Sequence, residues 1–260
     1  MFGWLRSGGD LSAAKKVQTG EKSMSVAAVE PAPAPAGPAF AKPRVSAQVS
    51  LMKFGDPNAY FAAGEFLGPD SVVYSIGIGA DFSFDTDIGS RFGIPTYAFD
   101  PTPQSAALYA TLPNPGKLRF MNVAVGAADG ESVFQVVKDK KNYMSAYSGK
   151  GAADVPTKEV RFKVRSVPSL MKQFKHGHID LFRIDAEGAE FAVLPHLFAN
   201  NIFPTQIMFE IHPTLFGVSD GAEAFKSAED LVELVRSKGY EVIHVSRRGT
   251  EISFVRSYLL

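Results

Sequence analysis

Three acids crowd one glycine in the run Ile184-Asp185-Ala186-Glu187-Gly188-Ala189-Glu190. Asp185 ends the apolar stretch 179–184, which places it at the carboxyl edge of a strand. There a carboxylate can bind or orient a substrate, or serve as a general base if partial burial raises its proton affinity. Glu187 and Glu190 open the helix predicted over 187–200, where the helix dipole favours anions, so plain capping explains them as well. His212 follows the apolar stretch 206–211 and is a proton acceptor near pH 7, or else a surface histidine. Glu210 inside that strand is anomalous, because an unpaired buried carboxylate is costly. A Glu210–Arg183 pair between neighbouring strands would relieve it. His176, His178, His196 and His244 read as structural or exposed. The candidate catalytic set is Asp185, Glu187 and His212.

A second constellation lies upstream. Val72-Val73-Tyr74-Ser75-Ile76-Gly77-Ile78-Gly79-Ala80-Asp81 reads as a buried strand and a glycine turn, with a helix to follow. Tyr97-Ala98-Phe99-Asp100-Pro101 reads as a second buried strand ending on an acid. This is the opening of a doubly wound α/β nucleotide-binding sheet. The glycines let backbone approach a ligand, and an acid about 20 residues on can accept from ribose hydroxyls. Two plainer readings stand beside it: a tight turn with no ligand, and Asp100 as a cap before Pro-Thr-Pro. An adenosine-type cofactor fits the pattern. The full G-x-G-x-x-G is absent because Phe82 occupies the third glycine position, which argues against a nicotinamide dinucleotide.

These residues need a frame of alternating strands and helices. Strands are predicted at 71–76, 96–99, 118–125, 132–137, 159–164, 179–184 and 206–211. Helices are predicted at 81–92, 104–112, 167–176, 187–200 and 228–238. Residues 46–66 read as a lead-in of mixed helix and turn character, and 138–156 as a polar loop. The stretch 143–148 of that loop is expected to close over the site. Strands at 240–245 and 251–255, joined through Arg247-Arg248-Gly249, form a terminal antiparallel hairpin.

Composition narrows the class. The chain has 260 residues, and 45% of them are hydrophobic, enough for one full core. Its 27 basic residues balance 27 acidic ones, so no global field draws it to nucleic acid or a membrane surface. It contains no cysteine, which excludes disulfides, zinc–thiolate sites and cysteine nucleophiles. This fits a cytoplasmic protein. No apolar run reaches the roughly 20 residues of a membrane span. The Ala/Pro tract at 27–43 reads as an extended linker, so residues 1–44 are expected to be a flexible arm and 45–260 the folded domain. Nucleophile-elbow, Walker A and H-E-x-x-H patterns are absent.

The run from Ile184 to Glu190, taken with Phe209-Glu210-Ile211-His212, resembles the FkbM-type methyltransferases that use S-adenosyl-L-methionine (AdoMet). Val73 to Gly79, Phe84-Asp85 and Phe99-Asp100-Pro101-Thr102-Pro103 look like a branch that includes methyltransferase-like protein 24. Asn122-Val123-Ala124-Val125-Gly126 is similar to the family's third-strand segment. The likeness runs from about residue 71 to residue 251. Two positions depart from the family pattern: Ser75 stands where an acid is usual, and Arg183 where a lysine is common. The resemblance implies a class I methyltransferase fold, a Rossmann-like α/β architecture with a doubly wound, mostly parallel seven-stranded sheet ending in an antiparallel hairpin. It implies AdoMet held by Ser75, Gly77, Gly79, Asp81, Asp100, Pro101 and Ala124, and O-methylation of a hydroxyl on a sugar or secondary metabolite. A nicotinamide-dependent oxidoreductase and a non-catalytic binding or scaffold protein on the same fold are the alternatives. No metal is expected.

Overall fold

The computed structural model describes residues 39–44, 48–56, 59–113, 115–138, 144–147, 158–211 and 221–260. The first strands, Leu51–Phe54 (β1) and Tyr60–Ala63 (β2), pair as an antiparallel hairpin. The lead-in of mixed helix and turn expected at 46–66 therefore holds a strand hairpin, with a short 3-10 helix at Gly64–Phe66. Its alternating Met52, Phe54, Tyr60 and Ala62 pack into a core instead of lying along a helix.

The chain then alternates as its hydrophobic pattern demands. Val73–Ile76 (β3) leads to Ser83–Phe92 (α1), which ends at Gly93 in the left-handed region. Thr96–Phe99 (β4) leads to Pro103–Thr111 (α2), whose cap Thr102 accepts from the Ser105 amide. Proline at the helix start costs nothing there, because its missing N–H would be unpaired anyway. Leu118–Met121 (β5) stops short of the strand expected over 118–125, and Ala124–Gly126 (β6) turns away into a second sheet. Gly130–Lys138 (β7), Met144–Tyr147 (β8) and Lys158–Ser166 (β9) complete that sheet in the order β6-β9-β7-β8. β8 thus lies within the expected loop at 138–156. Of the stretch expected to close over the site, residues 143 and 148 are outside the described residues.

Val167–Phe174 (α3), Leu181–Ile184 (β10), Glu190–Ala199 (α4), Gln206–Glu210 (β11) and Gly221–Ser237 (α5) follow. Tyr240–Val245 (β12) and Glu251–Arg256 (β13) close the chain as the expected hairpin. α4 starts at Glu190, three residues later than expected, because 186–189 form a turn around Gly188.

The seven-stranded sheet runs β12-β13-β11-β10-β3-β4-β5. Its five central and edge strands from β11 to β5 are parallel, and β13 enters antiparallel between β11 and β12. This is the doubly wound, Rossmann-like plan expected from sequence. Registers Ile184↔Ile76, Ile76↔Phe99 and Ile184↔Phe209 level the strand ends, so Gly77, Asp100, Asp185 and Glu210 share one carboxyl edge. Glu251 pairs opposite Glu210 and joins them.

The two faces of the sheet differ in kind. Tyr74, Ile76, Phe182, Ile184, Ile207 and Phe209 pack with α3, α4 and α5 in a core of aliphatic and aromatic side chains. The alternate positions carry Ser75, Thr96, Arg183 and Gln206 among the apolar Val73, Leu181 and Met208, all buried under α1 and the β1–β2 hairpin. Buried polar groups require partners, and these bond to what covers them. Gln206 Nε2 donates to the Ala63 carbonyl at 3.0 Å, and its Oε1 accepts from the Ala63 amide at 2.7 Å. The Thr96 hydroxyl donates to the Asp85 carbonyl at 3.1 Å.

Residues 39–44 also pack on this body, upstream of the boundary expected at residue 45. Ala41 is fully buried, and Arg236 donates to the carbonyls of Phe40 and Lys42 at 2.6 and 2.5 Å. Among the described residues no helix is long and apolar enough to cross a membrane.

Candidate functional site

A cavity of about 560 Å³ opens at the carboxyl edge of β3 and β10. That edge, at the point where strand order reverses, is where open α/β sheets bind ligands. The volume is that of a cofactor-sized ligand site.

Its floor is the glycine turn. Gly77 has φ +77° and Gly79 φ +60°, a conformation that L side chains rarely adopt. Asp100 holds the turn in place. Its Oδ2 accepts from the amides of Ile78 and Gly79, each at 2.9 Å, and its Oδ1 accepts from the Thr102 amide at 2.8 Å and hydroxyl at 2.6 Å. A carboxylate offers about four acceptor positions, so the protein itself fills them. Ser105 adds a bond from its hydroxyl to the Gly79 carbonyl at 2.6 Å. Asn122 Nδ2 ties down the carbonyls of Asp100 and Thr102 at 2.8 and 3.1 Å. The capping geometry set beside ribose binding for Asp100 is thus present, in a residue that also lines the cavity.

The facing wall is built on Arg183, a buried cation in a buried strand. Nη2 donates to the Tyr60 hydroxyl at 2.7 Å and to Asp185 Oδ2 at 2.9 Å. Nη1 donates to the Gly77 carbonyl at 3.0 Å and to Ser75 Oγ at 3.3 Å. The guanidinium carbon lies 4.2 Å from the centre of the Tyr60 ring. Burial alone would lower the arginine's pKa. The Tyr60 hydroxyl oxygen, which accepts from Nη2, and the carboxylates of Asp185 and Asp85 outweigh that and raise it, so Arg183 stays a cation. Burial also drives the Tyr60 phenol well above its ordinary range, which keeps it neutral.

Beneath this wall sits Asp85. It is fully buried, and no hydrogen bond of ordinary geometry reaches either oxygen. Desolvation lifts its pKa to about 6, against the partial relief that Arg183 and the nearby Ser75 hydroxyl supply.

The sequence candidates separate here. Gly77, Gly79, Asp81, Asp100, Pro101, Ala124, Asp185 and Glu187 all line the cavity. Ser75 does not line it and lies below, bonded to Arg183. Asp81 Oδ1 accepts from the Ser83 amide at 2.8 Å at the start of α1. Glu187 has φ +51° in the turn before α4. Glu190 takes the capping role considered for it: its oxygens accept from the amides of Ala186 at 2.6 Å and Gly188 at 2.8 Å. His212 falls outside the described residues. The cation expected opposite Glu210, Arg183, forms its ion pair with Asp185. Among the described residues no acid–histidine group has metal-holding geometry.

Tyr60, Phe134, Arg248 and Glu251 also line the cavity, and sequence reasoning missed them. Tyr60 lies in the stretch expected to be helix and turn, Arg248 in the hairpin turn read only as a turn, and Phe134 and Glu251 in strands whose place beside the cavity no local pattern encodes.

A family model for the methyltransferase FkbM domain matches residues 71–242. The chain belongs to the FkbM methyltransferase family. Among solved structures, an FkbM methyltransferase from Methylobacillus flagellatus aligns with 73% of this chain and 44% of its own, at 9% identity and a TM-score of 0.45. The chain therefore spans less than half the length of that relative. Methanococcus jannaschii fibrillarin, a pre-rRNA processing protein, aligns with 81% of this chain and 83% of its own, at 12% identity and a TM-score of 0.43. No curated protein matches the chain. The matched FkbM segment contains the glycine turn, Asp100, Arg183, Asp185 and Glu187. Tyr60, Arg248 and Glu251 lie outside it.

Proposed function

We propose that this FkbM domain transfers a methyl group from AdoMet to a hydroxyl oxygen of a small molecule or glycan. One observation carries the reading: the cavity at the strand-order reversal of a methyltransferase-family sheet is floored by a glycine turn and walled by carboxylates. Asp81, Asp100, Asp185, Glu187, Glu210 and Glu251 line it against two cations, Arg248 and Arg183, the latter already paired inside the wall. An excess of negative charge in a partly enclosed site favours a cationic ligand. AdoMet, when bound, supplies a methyl on a positively charged sulfur that is already activated for transfer.

The residues' own task is then positioning and exclusion of water. Gly77 and Gly79 let the ligand lie on backbone, and Asp100 fixes their shape. Pro101 and Ala124 give it apolar sides. Asp185, which adjoins Gly77, can meet the bound donor and, with Glu187, orient an acceptor hydroxyl, and His212, which follows β11 in the sequence, is a candidate proton acceptor.

The nicotinamide alternative meets a physical obstacle. Phe82 is buried against Tyr109 and Phe120, with ring centres 5.9 and 5.5 Å away, where a third glycine would open the helix start to a pyrophosphate.

Calorimetric titration with S-adenosylhomocysteine tests the reading, with NAD as control. Micromolar binding of the first alone supports it and opens a screen of hydroxyl acceptors with labelled methyl donor. Binding of NAD alone overturns it, and binding of neither favours a scaffold on the same fold.

A further inference from the structure

We propose that Tyr60 is a positioning residue of the donor pocket, acting through Asp185; this rests on the AdoMet reading above. Three hydrogen bonds close a triangle. The Tyr60 hydroxyl donates to Asp185 Oδ2 at 2.7 Å and accepts from Arg183 Nη2 at 2.7 Å. The same Nη2 donates to Asp185 Oδ2 at 2.9 Å. Two donors that meet at one carboxylate oxygen and are bonded to each other fix the carboxylate's rotamer more tightly than an ion pair alone.

The triangle is tied to the rest of the floor. Arg183 Nη1 donates to the Gly77 carbonyl, so carboxylate and glycine turn share one anchor. The Tyr60 ring packs edge-on against Phe84, centres 5.5 Å apart, with the guanidinium over its face. A phenylalanine would fill that space equally well, so the hydroxyl has a polar task alone. Gln206 supplies the mounting, bonding both backbone groups of Ala63 at the end of β2. A hairpin that precedes the matched FkbM segment thereby places a side chain in the cavity.

The test is a double-mutant cycle read as S-adenosylhomocysteine affinity by calorimetry, on the full chain. Tyr60→Phe and Asp185→Asn are each expected to weaken binding about tenfold, the scale of one hydrogen bond to a charged group. The double variant is expected to bind no worse than the weaker single, since both changes release the same carboxylate. The ligand-free melting temperature of Tyr60→Phe, and partial recovery of affinity in Tyr60→His, separate this from loss of folding. Unchanged affinity in either single variant, or losses that multiply in the double, overturns the inference while the AdoMet reading stands. No binding by the unaltered chain overturns both.

Discussion

Gly77 and Asp185 touch backbone to backbone. A β-carbon built on Gly77 would lie 1.7 Å from the Asp185 carbonyl oxygen, at a φ of +77°. The ends of β3 and β10 are so close that the cavity floor admits only glycine there. Replacement by alanine must push these central strands apart or bend the turn out of the left-handed region. Gly77→Ala should cost about 2–4 kcal/mol of stability, combining overpacking with backbone strain. Urea denaturation measures it, and a loss below about 1 kcal/mol would show that the strand ends separate freely.

Asp100 makes the next prediction. Asp100→Asn keeps the shape but replaces one accepting oxygen with a donor. Whichever way the amide turns, two donors face an N–H₂ group, either the Ile78 and Gly79 amides or the Thr102 pair. Leaving buried donors unpaired costs about 1–3 kcal/mol per group. A drop of about 3 kcal/mol is expected on denaturation. Hydrogen exchange at Ile78 and Gly79 should speed up with it.

Asp85 gives the fold a pH dependence. Its folded pKa of about 6 lies above the ordinary carboxylate value of 3.8. Between those two values the folded state binds the extra proton, so this group makes the fold more stable as pH falls from 6 toward 4. Above pH 6 the full penalty of a buried charge applies, on the order of 3 kcal/mol. Asp85→Asn should flatten the stability–pH curve across that window and raise stability at pH 7. A curve with unchanged slope would place the titration elsewhere.

Gln206 holds the hairpin by both ends of one residue's backbone. Gln206→Leu keeps the bulk but strands the Ala63 amide and carbonyl in the interior. A loss of about 2–4 kcal/mol is expected, with faster amide exchange at Ala63 as the local signature. If exchange at Ala63 stays slow, another partner secures β2.

Much of this is legible in the sequence because it is local. The continuous apolar runs of β3, β4, β10 and β11 announce a covered parallel sheet, and Arg247-Arg248-Gly249 announces the terminal turn. Asp185 and Asp100 stand out because an acid directly after such a run must emerge at the sheet's edge. Tyr60 is not legible: β1 and β2 are four residues each, too short for alternation to outweigh the surrounding glycine and proline. Neither is the partner of Arg183. Its cross-strand neighbours Ser75 and Met208 are fixed by register, whereas its ion partner stands two residues along its own chain. The break between β5 and β6 at 122–123 is hidden because both halves are apolar, and only the second sheet separates them.

Walls drawn from Tyr60, Arg248 and Glu251 have a consequence for exchanging segments between family members. A chimera that swaps only the shared central segment would inherit the floor of one parent and the rim of another. The charge triangle and the Glu210–Glu251 register would then have to match by chance. Swaps that carry both flanking hairpins along should preserve the pocket, and exchange of the flanks alone is the more direct route to altering what the rim admits.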